Sequence, residues 1–332
     1  MTLYALDDIE DAIDATREFL WPPDIGQWAK LALVVFFVGS ASGVNPFQFS
    51  GGTSGEGVSV TLDDVGAPDT IPSLGGPEIA VIAAIIALVV LLGLVLALVG
   101  SIMEFIFVES LRREEVTLRR YWSEHWRAGV RLFGFRLALG ILTFGLIALL
   151  VILALSPILF WGGGLSFGLL LLAIPLVFFV TIAGALVHAF TTVFVVPVMM
   201  LDRRGVISAW RRFWSTMVGQ WKQYAVYAVM AFVLQLAGGI LIGIATLVGA
   251  IVVAIPLVIV GLLGVGVLTV SQLAGLAVIA LAVVLFVLAV IVLGLFVSVP
   301  VQTFLRYYAL LVLGDTNESF DLIPDRRQAI RE

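Results

Sequence analysis

The chain has 332 residues, 61% of them hydrophobic and 12% charged, with a net charge of −5 and a mean hydropathy of +1.14. No soluble domain of this size can bury so large an apolar fraction, so composition points to an integral membrane protein and excludes soluble enzymes, nucleic-acid binders and secreted disulfide scaffolds. The lack of cysteine excludes thiol catalysis, Cys-based zinc sites and iron–sulfur clusters. Only Lys30 and Lys222 among the 18 basic residues are lysines, against 23 acids, a balance that suits a high-salt cytoplasm or, alternatively, simple codon bias.

The opening is acidic, with Asp7, Asp8, Glu10, Asp11 and Asp14 standing where a signal peptide would carry basic residues, so the first span is expected to stay in the mature protein. Apolar spans follow at about Trp28–Val44, Ile79–Val108, Leu132–Phe160, Leu165–Met200, Tyr224–Gly261 and Leu273–Leu313. Tyr224–Leu313 holds a single charge, Arg306. The last three segments exceed the ~20 residues that cross a bilayer. Long projecting helices, or breaks at Pro175, Gly184, Gly238–Gly239 or Pro256, would account for that; six spans are preferred to eight, which would leave almost no loops. The segments Glu109–Arg131 and Asp202–Lys222 are rich in Arg, whereas Asn45–Glu78, Trp161–Gly164 and about Leu262–Gln272 contain no Lys or Arg. Basic loops face the cytoplasm, which places both termini there, with the protein in the cell membrane. Residues 45–78, with seven Gly and four Pro, read as an acidic extracytoplasmic loop with a candidate strand pair around Val58–Leu62.

The fold class expected is all-α: a single polytopic membrane domain over 1–332, with about six transmembrane helices. They are arranged as three repeats of interfacial amphipathic helix plus helical hairpin, at about 5–108, 109–200 and 201–314, before a cytoplasmic tail 315–332. The repeat rests on Leu118-Arg119-Arg120-Tyr121-Trp122 and Trp210-Arg211-Arg212-Phe213-Trp214, with a weaker echo at Ala15-Thr16-Arg17-Glu18-Phe19. Gly26-Gln27-Trp28 and Gly219-Gln220-Trp221 match, as do Val196-Pro197-Val198 and Val299-Pro300-Val301. In the third unit Val206, Trp210, Phe213, Trp214, Met217 and Trp221 form one apolar stripe at helical spacing. Arg119, Arg120, Trp122, Arg211, Arg212 and Trp214 are therefore candidate lipid-headgroup residues.

Ionisable residues inside a span are functional candidates by default. These are Glu104, within reach of Arg136 or Arg306, and His188 near mid-bilayer, with Gln235 as a polar neighbour. A proton relay or substrate contact competes here with a neutral, hydrogen-bonded histidine and a structural ion pair. Gly164-Leu165-Ser166-Phe167-Gly168 matches G-x-S-x-G, but lacks the strand–turn–helix setting, and His188 stands ~33 Å further along the same helix. Walker A, H-E-x-x-H and dinucleotide motifs are absent. No catalytic residue, cofactor or metal is expected, and the chain reads as non-enzymatic.

The closing stretch Phe304-Leu305-Arg306-Tyr307-Tyr308-Ala309-Leu310-Leu311-Val312-Leu313-Gly314-Asp315, with Phe320-Asp321-Leu322-Ile323-Pro324 and the opening Tyr4-Ala5-Leu6-Asp7-Asp8, resembles a haloarchaeal multi-pass membrane family of unknown function. More distantly, the alternation of Trp/Arg helix and hairpin resembles the membrane domain fused to some bacterial glycerophosphodiester phosphodiesterases, whose catalytic domain has no counterpart here. The resemblance implies a fold and a location and transfers no catalytic residue. Two functions follow as expectations: a membrane scaffold or lipid-interacting protein, or a small-solute or ion transporter with a pathway past His188, Gln235 and Glu104. Expected partners are membrane lipids, a second copy or a membrane partner protein, and no nucleic acid.

Overall fold

The computed structural model describes residues 4–41, 76–160 and 166–332, and among them it contains helices and no strand. Helix α1, Tyr4–Leu20, buries Ala5, Asp8, Ala12, Ala15 and Phe19 at alternating spacings of three and four, the stripe of an amphipathic helix. The Asp24 carboxylate accepts from the amides of Gly26 (3.0 Å) and Gln27 (3.3 Å) and so caps α2, Ile25–Ala41. Helix α3 is Gly76–Arg113, ended by Glu114 at φ 55, and α4 is Leu118–Phe160. Helix α5, Ser166–Phe190, passes through a π turn at Thr191–Val195 into α6, Val196–Asp202, which Arg203 closes at φ 52. There follow α7 (Val206–Gly219), α8 (Trp221–Leu268) and α9 (Gln272–Thr316). A 3-10 turn at Glu318–Phe320 then leads to α10, Pro324–Arg331.

Among the described residues, five helical segments are long and apolar enough to cross a membrane: Ile79–Arg113, Leu118–Ser156, Leu171–Asp202, Trp221–Leu268 and Gln272–Thr316. The first expected span falls short of this on the described residues, because the apolar part of α2 is Ile25–Gly39. The loop 45–78 lies almost wholly outside the described residues, and the candidate strand pair entirely so. The pentapeptide 164–168 straddles their edge, with Ser166 opening α5.

Of the two explanations for the long segments, unbroken helices hold and breaks do not, and one expectation about the repeat is corrected. Gly184, Pro175, Gly238–Gly239 and Pro256 interrupt nothing; α8 and α9 run unbroken for 48 and 45 residues. The one irregular turn in the fourth span comes at Thr191–Val195 instead. In the second repeat unit, Leu118–Trp122 is not a separate interfacial helix but the first turns of α4, because nothing between Trp122 and Leu132 breaks the helical run. The third unit has its Arg/Trp segment on a distinct helix, α7, where the chain leaves helical geometry at Gln220, and the weaker first-unit echo Ala15–Phe19 likewise lies on a separate helix, α1.

The chain forms two compact units. The first comprises Met1–Lys30, Ser101–Phe232 and Gln302–Glu332; the second comprises Leu31–Gly100 and Val233–Val301. In the first unit the buried Tyr307 and Tyr308 hydroxyls donate to Leu111 O (3.2 Å) and Ala5 O (2.6 Å). Phe194 meets Phe213, Tyr224 and Tyr227 at ring separations of 5.3, 5.2 and 4.8 Å. Helices α3 and α4 approach so closely that a Cβ on Gly129 would stand 2.8 Å from the Ile102 Cα. The second unit carries no charge on its hairpin of α8 and α9, with a crevice of about 370 Å³ lined by residues such as Leu257, Val258, Ile279 and Phe286.

The backbone contact at Gly129 generates a prediction. Gly129→Val is expected to lower stability by about 1–3 kcal/mol, because overpacking against backbone cannot be relieved by a rotamer change. Gly145→Ala, with nothing within 4 Å of its added Cβ, is expected to leave thermal unfolding in detergent unchanged or slightly raised.

Candidate functional site

The first unit collects its buried charge at one place. Glu104 on α3 has no exposed surface and pairs with Arg306 of α9 and, at 3.5 Å, with Arg136 of α4. Arg136 Nη2 also donates to Thr192 Oγ1 (2.7 Å) and Nη1 to Ser101 Oγ (3.4 Å). Arg306 Nη1 donates to the Thr192 carbonyl at 2.8 Å, and its guanidinium lies over the Phe107 ring at 5.6 Å.

The local sequence explains why that carbonyl is available. In the π turn the Val196 amide bonds Thr191 O, and the next residue, Pro197, has no N–H to offer. Thr192 O is thereby left without the amide that the next turn would have supplied, and Arg306 replaces it. Thr191 Oγ1 donates to Val187 O (2.6 Å) and accepts from Trp210 Nε1 (2.9 Å), which ties α7 to the same turn. Wide turns of this kind recur at functional sites.

Of the residues singled out from the sequence, the structure thus brings Glu104 and Arg306 into one cluster with Arg136. His188 stands one turn before Thr192 on α5, half-buried, with its Nε2 buried and unpartnered. Gln235 belongs to the second unit. Arg119, Arg120, Trp122, Arg211 and Trp214 are exposed, Arg120 pairing with Glu124 at 3.2 Å. Arg212 is half-buried and already partnered: it pairs with Asp202, reaches Ser319 Oγ (3.4 Å) and lies 5.1 Å from the Phe320 ring centre. The single apolar stripe expected on α7 is divided. Val206, Ala209 and Phe213 are buried and Trp210 is half-buried, whereas Trp214 and Trp221 are exposed together with Ile207 and Val218. Thr192 and Pro197 were missed; the signal was a Pro five residues after a Thr–Thr pair inside an apolar run.

A second polar cluster joins the chain ends. Arg331 of α10 pairs with Asp11 (2.7 Å), Asp315 (2.8 Å) and Asp8 (2.9 Å). Arg327 pairs with Asp321 (2.9 Å) and Asp315 (3.3 Å), and Arg326 reaches Glu114 (3.0 Å) and Ala15 O (3.1 Å). Several of these groups line a polar cleft of about 560 Å³. Burial, and next the adjacent Asp315 charge, push the Asp8 carboxyl up from 3.8 to about 8. Among the described residues no group of His, Asp and Glu is placed to hold a metal ion.

These features define a class: an all-helical protein with five helices capable of crossing a membrane and a buried Arg–Glu–Arg centre. The profile of a family of unknown function (DUF7544) matches residues 3–323, and the chain belongs to that family. No curated protein and no solved structure matches it.

Three predictions follow from these pairs and clusters. Glu104→Gln is expected to cost about 3–5 kcal/mol, because two guanidinium groups lose their buried counter-charge. Arg120→Gln, which breaks an exposed pair, is expected to cost under about 1 kcal/mol, both read as detergent unfolding. Because the folded-state pKa of Asp8 lies above its ordinary value, the folded chain holds the extra proton between about pH 4 and 8. The wild type should therefore gain stability relative to Asp8→Asn as pH falls from 8 to 4, and lose it on the way back; a difference in melting temperature that stays flat over that range would contradict this.

Proposed function

We propose that the chain is a multi-pass integral membrane protein that acts without enzymatic chemistry, as a membrane scaffold or lipid-interacting protein. The observation that supports this best is the exposure of apolar side chains along the long helices. Almost none of their most apolar stretches is buried within the chain, and large side chains such as Phe144 (74%), Phe179 (71%) and Leu262 (66%) stand open. Water does not tolerate contiguous apolar surface on that scale, whereas hydrocarbon does.

The positions of charge support a headgroup role on one side. Arg119, Arg120, Trp122, Arg211 and Trp214 are exposed at the helix ends nearest the basic loops. Aromatic rings and guanidinium groups both favour the interfacial zone. In this reading those ends and both termini face the cytoplasm, the protein lies in the cell membrane, and the three-unit repeat describes how it was assembled. Arg212, half-exposed and paired with Asp202, is the least free of the headgroup candidates. The transporter alternative needs a polar passage past Glu104, His188 and Gln235. Few ionisable residues lie within the long helices, which favours the first reading.

Two measurements test the proposal. The chain should stay in the membrane pellet after alkaline carbonate extraction; release to the supernatant would refute the integral assignment. Reconstituted in mixed phosphatidylglycerol and phosphatidylcholine, it should select spin-labelled phosphatidylglycerol at low salt. That preference should fall several-fold in the combined variant Arg119→Gln, Arg211→Gln and on raising ionic strength. Equal association with both lipids at low salt would refute the headgroup role.

A further inference from the structure

The buried centre is not electrically balanced. It holds two guanidinium groups, which do not deprotonate in proteins, against one carboxylate, and the imbalance falls on one partner. Arg306 is fully engaged by Glu104, the Thr192 carbonyl and the Phe107 ring. Arg136 has only a 3.5 Å contact with the same carboxylate, two hydroxyl partners and a buried Nε–H with no acceptor, although its side chain is 9% exposed.

A second unpartnered group lies beside it. Helices α4 and α5 pack along one another. A Cβ on Gly184 would meet Thr143, and Thr192 meets Arg136, so the two helices run antiparallel, in a register that places His188 midway between these contacts. His188 shares a helix face with Gly184 and Thr192, at four-residue spacing on either side. That places it one helical turn from the Thr192–Arg136 contact, and its buried Nε2 also has no partner. A guanidinium N–H and an imidazole nitrogen, both buried and neither with a partner, are costly unless something bonds to them.

We infer that Arg136 and His188 form a site for a phosphate-type oxyanion, supplied either by the headgroup of an anionic phospholipid or by free phosphate. The anion accepts from Arg136 Nε–H and from a neutral His188 N–H, and it neutralises the surplus charge that Glu104 leaves. Charge-assisted bonds to oxyanions are the strong class of hydrogen bond, and guanidinium geometry matches phosphate. The site is distinct from the exposed arginines of the proposed headgroup surface. It rests on the membrane reading only for the choice between the two anion sources.

The test uses the full chain in dodecyl maltoside, a neutral detergent. Two probes are added separately, phosphatidylglycerol and inorganic phosphate, and binding is read by native mass spectrometry with melting temperature as a second readout. Saturable uptake of one equivalent with a raised melting temperature is expected. Uptake of phosphatidylglycerol alone assigns a lipid headgroup; uptake of inorganic phosphate as well assigns a free anion. Arg136→Gln and His188→Leu should each weaken that single equivalent at least tenfold, whereas His188→Gln, which keeps an N–H donor, should retain most of it. Should Arg136→Gln not fold, the His188→Leu and His188→Gln pair decides. Uptake of neither probe, or uptake unchanged in His188→Leu, overturns the inference. The variant Arg119→Gln, Arg211→Gln keeps the two readings apart: it should retain the single equivalent even where broad headgroup selectivity is lost.

Discussion

Glu104 has no exposed surface, and a carboxylate so placed persists only where cations and hydrogen-bond donors surround it. The requirement fixes more than one contact. Arg136 must come from α4 and Arg306 from α9, and the carbonyl that Arg306 also needs exists because the helix after Phe190 widens ahead of Pro197. Trp210 then bonds the same turn, so α7 takes its position from it. Replacement of such a centre by apolar side chains can be neutral or stabilising, so its contribution here is read as specifying register: in an otherwise apolar interior, many helix offsets pack about equally well and only one satisfies Glu104.

The two units divide the labour. Charge, aromatic stacking and long-range hydrogen bonding belong to the first, where Tyr307, Tyr308 and the Phe194 cluster are buried and the chain ends are clasped through Arg326, Arg327 and Arg331. The second carries the uncharged hairpin of α8 and α9, held by side-chain packing with glycine at close approaches such as Gly249 against Leu293. In the membrane reading proposed above, such packing is what holds helices together, because hydrocarbon removes the hydrophobic drive between them.

The long apolar runs and the Arg-rich connections were legible because composition and period are local properties, and so were the partners of Glu104, since depth along a span follows from residue count. The π turn was not. Pro175 and Pro256 were the candidate breaks and Pro197 was not, yet the widened turn stands just before Pro197, where the Arg306 guanidinium donates to the Thr192 carbonyl. Likewise Leu118–Trp122 and Trp210–Trp214 read alike, yet the first continues into α4 while the second is a separate helix with Arg212 turned to Asp202. The clasp of Asp8 and Asp315 by Arg331 joins residues more than 300 positions apart, and no local pattern announces it.

The central claim is that Glu104 and Arg306 act as one unit in organising the first unit of the fold. A double-mutant cycle on Glu104→Gln and Arg306→Gln, with unfolding free energies measured in one detergent, tests it most directly. The account predicts strong coupling, with the double variant losing less than the sum of the single losses by at least about 1 kcal/mol. Additivity to within about 0.5 kcal/mol would show that the two residues stabilise the fold independently and would contradict it.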